Sequence, residues 1–183
     1  MRTLRRNRGV MGKAVRRIIL VGASCLAAAG CASQPSLLQG ARLEELTVKQ
    51  QCVPFARQES GLPIYGDAWT WWEQAAGRYI RSKRPKRGAV MVLDDYAGAF
   101  RAHLAVVRAI IGPRAIRVDQ ANWLDTGNIY LGDPVRDVSP KNDWSLIRVF
   151  NLATRVWGSH IYNVEGFIGA GLARRAGQPA VSN

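Results

Sequence analysis

The sequence predicts an α+β fold, with N-terminal helices packed on an antiparallel β-sheet. Two observations carry that prediction. Beyond its first 31 residues the chain places helix-like segments first and Val- and Ile-rich runs after them, with the basic stretch RSKRPKRG (81–88) between. At 183 residues and 48% apolar content, it is also long enough for one domain with a sizeable core.

The first segment reads as an address. Seven basic residues and no acid fall within residues 1–30. An apolar run of thirteen residues, IILVGASCLAAAG (18–30), follows the basic leader. It is short for a membrane span and suits a signal peptide. Arg16-Arg17 adds a faint likeness to a twin-arginine signal. Ala28-Ala29-Gly30-Cys31 resembles the lipobox of bacterial lipoproteins, which implies cleavage before Cys31 and a lipid on its thiol. Cleavage near Ala27-Ala28-Ala29 is the alternative and would release a soluble product. Residues 1–30 are thus expected to be a signal peptide and 31–45 a lipidated cysteine with its linker.

The net charge of +13 shrinks once the leader is set aside, leaving 19 basic against 13 acidic residues, or +6. That balance suits any anionic partner and does not choose among them. Discarding Cys25 with the signal and lipidating Cys31 leaves Cys52 without an intrachain disulfide partner.

Leu43 to Lys49 reads as a helical turn or two. Gln50 to Glu59 reads as a helix, with Pro54 in its first turn and Gly61-Leu62-Pro63 as its stop. Cys52 therefore falls at a helix start, as a packed core thiol or as a nucleophile. Asp67 to Tyr79 reads as a second helix, whose Trp69, Trp71 and Trp72 are expected in the core. AVMVL (89–93), HLAVVRAII (103–111), AIRVDQANW (115–123), NIYLG (128–132) and WSLIRVF (144–150) read as strands. The run Arg81 to Arg87 reads as a solvated loop, His160 as structural or exposed, and residues 171–183 as a flexible tail.

His103 opens a strand. A helix N-terminus and a nearby imidazolium both favour a thiolate, and an imidazole can return the proton to a leaving amine. Cysteine on a helix, histidine on an early strand and a polar residue on the next make a papain-like layout. Strand alternation puts Ile116, Val118, Gln120 and Asn122 on one face, toward the packed helix, and Asp119 on the other, in a solvated pair with Arg117. Gln120 is then the residue that orients His103, with Asp119 the competitor if a bulge shifts the register.

QCVPFAR (51–57), GDAW (66–69), KRGAVMVL (86–93), HLAVV (103–107) and IRVDQANW (116–123) together resemble the CHAP family of cysteine, histidine-dependent amidohydrolases/peptidases, from about residue 46 to 150. The resemblance implies a papain-like domain, expected over 46–170, that cuts amide bonds of peptidoglycan. It implies Cys52 as nucleophile and His103 as general base, with Gln120 and Asn122 completing the catalytic set. Many members carry an acid where this chain has Gln120. Some bind calcium through acids before the cysteine, where this chain offers only Glu44 and Glu45, so neither a metal nor a cofactor is expected. The expected partners are peptidoglycan and, through Cys31, a membrane of the bacterial envelope, with no nucleic acid. A non-catalytic envelope lipoprotein and an amidase for a non-wall substrate are the competing readings.

Overall fold

The computed structural model describes residues 36–172. The expected signal segment, Cys31 and the tail beyond Leu172 lie outside the described residues. The strands are β1 (Arg42–Glu44), β2 (Tyr79–Ser82), β3 (Val90–Asp94), β4 (His103–Gly112), β5 (Ala115–Ala121), β6 (Ile129–Asp137), β7 (Leu146–Asn151), β8 (Val156–Trp157) and β9 (Tyr162–Leu172). Two short helices, α1 (Cys52–Ser60) and α2 (Trp71–Gln74), precede most of them, with a 3-10 turn at Ala68–Thr70.

The predicted α+β class, with helices on an antiparallel sheet, is overturned. The chain is mostly β, and its central strands close into a six-stranded antiparallel barrel. Around the barrel β3 pairs with β4, β4 with β5, β5 with β6, β6 with β7, β7 with β9, and β9 with β3 again. The strand that closes it is the one the sequence reading did not assign. Gly166, Gly169 and Gly171 interrupt β9 and dilute its strand signal. β1 and β2 are likewise not legible as strands, both being short and β1 charged at two of its three positions. The second helix shrinks to the 3-10 turn and one turn of α2.

Closure buries the inner face of the central strands, and the segments packed outside bury the outer face of β3 and β4 as well. Met91, Leu93, Ala105, Val107, Ile116 and Val118 point into the barrel with Trp144, Ile147 and Phe167. The alternate residues Val90, Val92, Leu104 and Val106 face outward against Ala56, Leu62, Ile64 and Trp71. This explains why HLAVV reads as an unbroken apolar run rather than an alternating one. Helix α1 packs on the outside of the barrel, ends on left-handed Gly61, and brings its N-terminus to the rim where β4 begins.

One irregularity sets the interior of β6. Val118 pairs with Asp133 and Gln120 with Tyr130, so Leu131 and Gly132 together stand opposite Asp119. This is a bulge, with Gly132 at φ +63°. It turns both Tyr130 and Asp133 inward, although they lie an odd three positions apart. Asp119 Oδ1 accepts the Gly132 N–H at 2.6 Å, and its Oδ2 accepts from Arg108 at 2.7 Å. The expected solvated pairing of Asp119 with Arg117 is therefore corrected: Asp119 is buried and ties down the bulge.

A Cβ on Gly132 would stand 3.2 Å from the Gly40 carbonyl, in a left-handed conformation that side chains disfavour. Gly132→Ala should destabilise the protein by about 1–2 kcal/mol, read as a lower urea midpoint with an unchanged slope.

Candidate active site

At the barrel rim a cleft of about 560 Å³ is lined by Gln51, Cys52, Tyr96, Phe100, Arg101, His103, Asn122 and Asp125, together with Asp67 and Trp69. Cys52 reaches it as the first residue of α1, and His103 as the first residue of β4. The helix N-terminus has no side-chain cap. Its first-turn amides stay available, and Pro54 contributes none.

His103 is 2% exposed and Gln120 fully buried. His103 Nε2 lies 3.0 Å from Gln120 Oε1. An amide oxygen only accepts, so Nε2 carries the hydrogen and Nδ1 keeps a free lone pair. Gln120 Nε2 in turn donates to Asp133 Oδ2 at 2.7 Å. The imidazole ring packs against two aromatics, Tyr96 and Trp123, each 5.0 Å away between ring centroids and 5.0 Å from each other. Trp123 is buried and covers the ring on one side.

Gln120 thus meets His103, and it does so on the face shared with Ile116 and Val118. That face looks into the barrel, not toward the helix as the alternation argument assumed. Asn122 leaves the face. The strand has ended, and its φ of +59° swings the side chain to the rim. There its Nδ2 donates to Gln51 Oε1 at 3.0 Å and its Oδ1 accepts the Gly127 N–H at 2.7 Å. Asn122 ties the end of β5 to the residue preceding Cys52 and makes no bond to His103.

Burial, not the helix start, dominates the titration of both groups. It pushes the Cys52 thiol up, against the backbone amides of Leu104 and Val53 that pull it down. It lowers His103 to about 4, against the Gln120 hydrogen bond. The resting pair is therefore a thiol and a neutral imidazole. This corrects the expectation of a standing thiolate and imidazolium.

The tryptophans divide. Trp71 is fully buried, Trp69 is 45% exposed against Phe100 in the cleft, and Trp72 lies beneath Arg81 and Lys83. Sequence reasoning missed Tyr96, which no motif flags, and Asp133, which reaches the interior only through the bulge. Among the described residues no group of three or more His, Cys, Asp or Glu is placed to hold a metal ion.

In comparison with known families, the CHAP domain model matches residues 44–122, a stretch that holds Cys52, His103, Gln120 and Asn122. CHAP domains are associated with amidase- and peptidase-type hydrolases. No curated protein and no solved structure matched the chain.

The lowered His103 value sets a pH dependence. The unfolded chain takes up this proton near its ordinary value of about 6.5, whereas the native state does so only near 4. Stability from this group is therefore complete above the unfolded value and lost as pH falls toward 4. Between pH 7 and 4.5 the loss should be about 2 kcal/mol. Urea titrations at the two pH values should show it for the natural protein and not for His103→Leu.

Proposed function

We propose that this protein is an exported cell-wall hydrolase that cleaves amide bonds of peptidoglycan, as an N-acetylmuramoyl-L-alanine amidase or a peptide endopeptidase. One observation carries the reading. A thiol at a helix start and an imidazole with a free Nδ1 line one open cleft, within the stretch matched by the CHAP model.

The neutral pair suits general-base attack. As the Cys52 sulfur bonds to the substrate carbonyl carbon, its proton passes to His103 Nδ1. The carbonyl oxygen becomes an oxyanion, to which the uncapped N–H of Cys52 at the helix start donates. Collapse breaks the carbon–nitrogen bond, and His103 hands its proton to the leaving amine. Water then adds to the thioester, His103 takes its proton, and the thiol is restored. Gln120 holds the ring by a neutral hydrogen bond. Asn122 acts at one remove, by holding Gln51 against the cleft. Exposed Trp69 and Phe100 suit contact with the substrate outside the scissile bond.

Digestion of purified sacculi, with the products read by mass spectrometry, tests this reading. Cys52→Ser should abolish muropeptide release with the fold intact. Gln120→Ala should lower turnover more than tenfold, or more than about 1.4 kcal/mol of barrier stabilisation. Iodoacetamide labelling of Cys52 should rise with pH and show no plateau in acid, as a thiol raised by burial requires. Intact sacculi, with turnover of a simple amide instead, would move the substrate away from the wall. No turnover of either would leave a binding protein.

The second part of the proposal is anchoring through Cys31, supported by the apolar run and the small residues before it. Cys31→Ala should shift the protein from the membrane fraction to a soluble or uncleaved form. Unchanged fractionation, with no acyl mass on Cys31, would refute it.

A further inference from the structure

Three buried carboxyls lie in or beside the barrel wall. Asp119 is spent on the Gly132 amide and Arg108, and Asp137 on the amide and hydroxyl of Ser139. Asp133 differs. It is fully buried, its Oδ2 meets Gln120 Nε2, and its Oδ1 has no partner. No cation pairs with it among the described residues.

We infer that Asp133 is a positioning residue that selects, through the Gln120 amide, the His103 tautomer with Nδ1 free. The consequence for turnover rests on the hydrolase reading; the selection itself does not.

An amide has two faces. Turned over, Gln120 would present its NH2 to His103 Nε2, which would then accept and leave the proton on Nδ1. An imidazole in that form could not take the Cys52 proton at Nδ1. Nothing in His103 or Gln120 alone chooses between these arrangements. The choice is made on the far side, where Asp133 Oδ2 accepts and so demands the amide nitrogen. Burial pushes the Asp133 carboxyl well up. The Gln120 hydrogen bond opposes that rise. The ionised carboxylate can only accept and fixes the amide; a neutral acid with its proton on Oδ2 would instead donate to a turned-over Gln120, so strict selection belongs to the ionised form. The site is poorly explained as packing. Val118 opposite and Val135 two residues on fill the same interior without a polar atom, and a buried carboxyl with one partner costs stability where valine would not. Asp133 also lies beyond the stretch matched by the family model.

Nitrogen-15 NMR of the folded protein reads the tautomer directly, with His160→Gln to assign the two histidines. The natural protein should show His103 protonated at Nε2. Asp133→Val removes the acceptor; should that variant not fold, Asp133→Ala does the same. Either should move a large part of His103 to the Nδ1–H form and lower kcat more than tenfold, with KM changed less than about twofold. Asp133→Asn can offer Gln120 either an oxygen or an NH2, so it should leave His103 divided between the two tautomers, with kcat between those of the natural protein and Asp133→Val. An Nε2–H tautomer with undiminished kcat in Asp133→Val would reduce Asp133 to packing. A tautomer wholly unchanged in Asp133→Asn would refute acceptance by the carboxylate as the cause. If the natural protein cuts no amide yet its tautomer still switches in Asp133→Val, the positioning stands and the hydrolase reading falls.

Discussion

β9 hydrogen-bonds to β2, β3 and β7, and the interior of the barrel exists only because it does. An open sheet would leave His103 and Gln120 on a surface that water reaches. Closure places them in a region walled by Met91, Leu93, Val118 and Phe167, where an unpaired polar atom is expensive and a hydrogen bond is strong. The lowered basicity of His103 and the raised carboxyl of Asp133 share that one cause, while the Cys52 thiol is raised by its burial between α1 and the outer face of the barrel. The site is built from neutral groups because the barrel excludes the solvent that would support charged ones.

Neutrality shifts the burden from electrostatic attraction to geometry. A carboxylate beside His103 would hold the ring and favour its protonated form together. An amide holds the ring without charge and is itself reversible, so its own orientation has to be set by a further group. The imidazole, the amide and the carboxyl form a row running inward from the rim, and the bulge at Leu131-Gly132 turns its last member inside. Asp119 secures that bulge from the other face of β5. Adjacent residues of one strand thus serve the site from opposite sides of the barrel wall.

The rim is arranged differently. Asn122, the residue after β5, leaves the strand in a left-handed conformation and bonds to Gln51. That bond couples the end of a barrel strand to the start of the helix that carries Cys52. Tyr96 stacks near His103 and accepts the Leu124 N–H at 2.7 Å, joining the loop after β3 to the turn after β5. The cleft is thus assembled from loops at one end of the barrel, while its one ordered base comes from a strand.

What the sequence determined by itself is local. The helix at Cys52, its stop at Gly61, the five runs that became β3 to β7, and the alternation that puts Gln120 with Ile116 and Val118 all follow from residue type and period. The motifs from QCVPFAR to IRVDQANW carried the resemblance to the CHAP family. What only the tertiary structure decided is closure and its consequences. β9 is too rich in glycine to announce itself, and without it the strands read as an open sheet with helices on one side. Whether the face bearing Gln120 looks at a helix or into a barrel cannot be read from period two, which distinguishes faces but not what they meet. The inward turn of Asp133 depends on one extra residue at Gly132, and the swing of Asn122 on where β5 stops pairing. Both are set by register between strands distant in sequence. The protonation of the pair depends on burial, which no short stretch of residues contains.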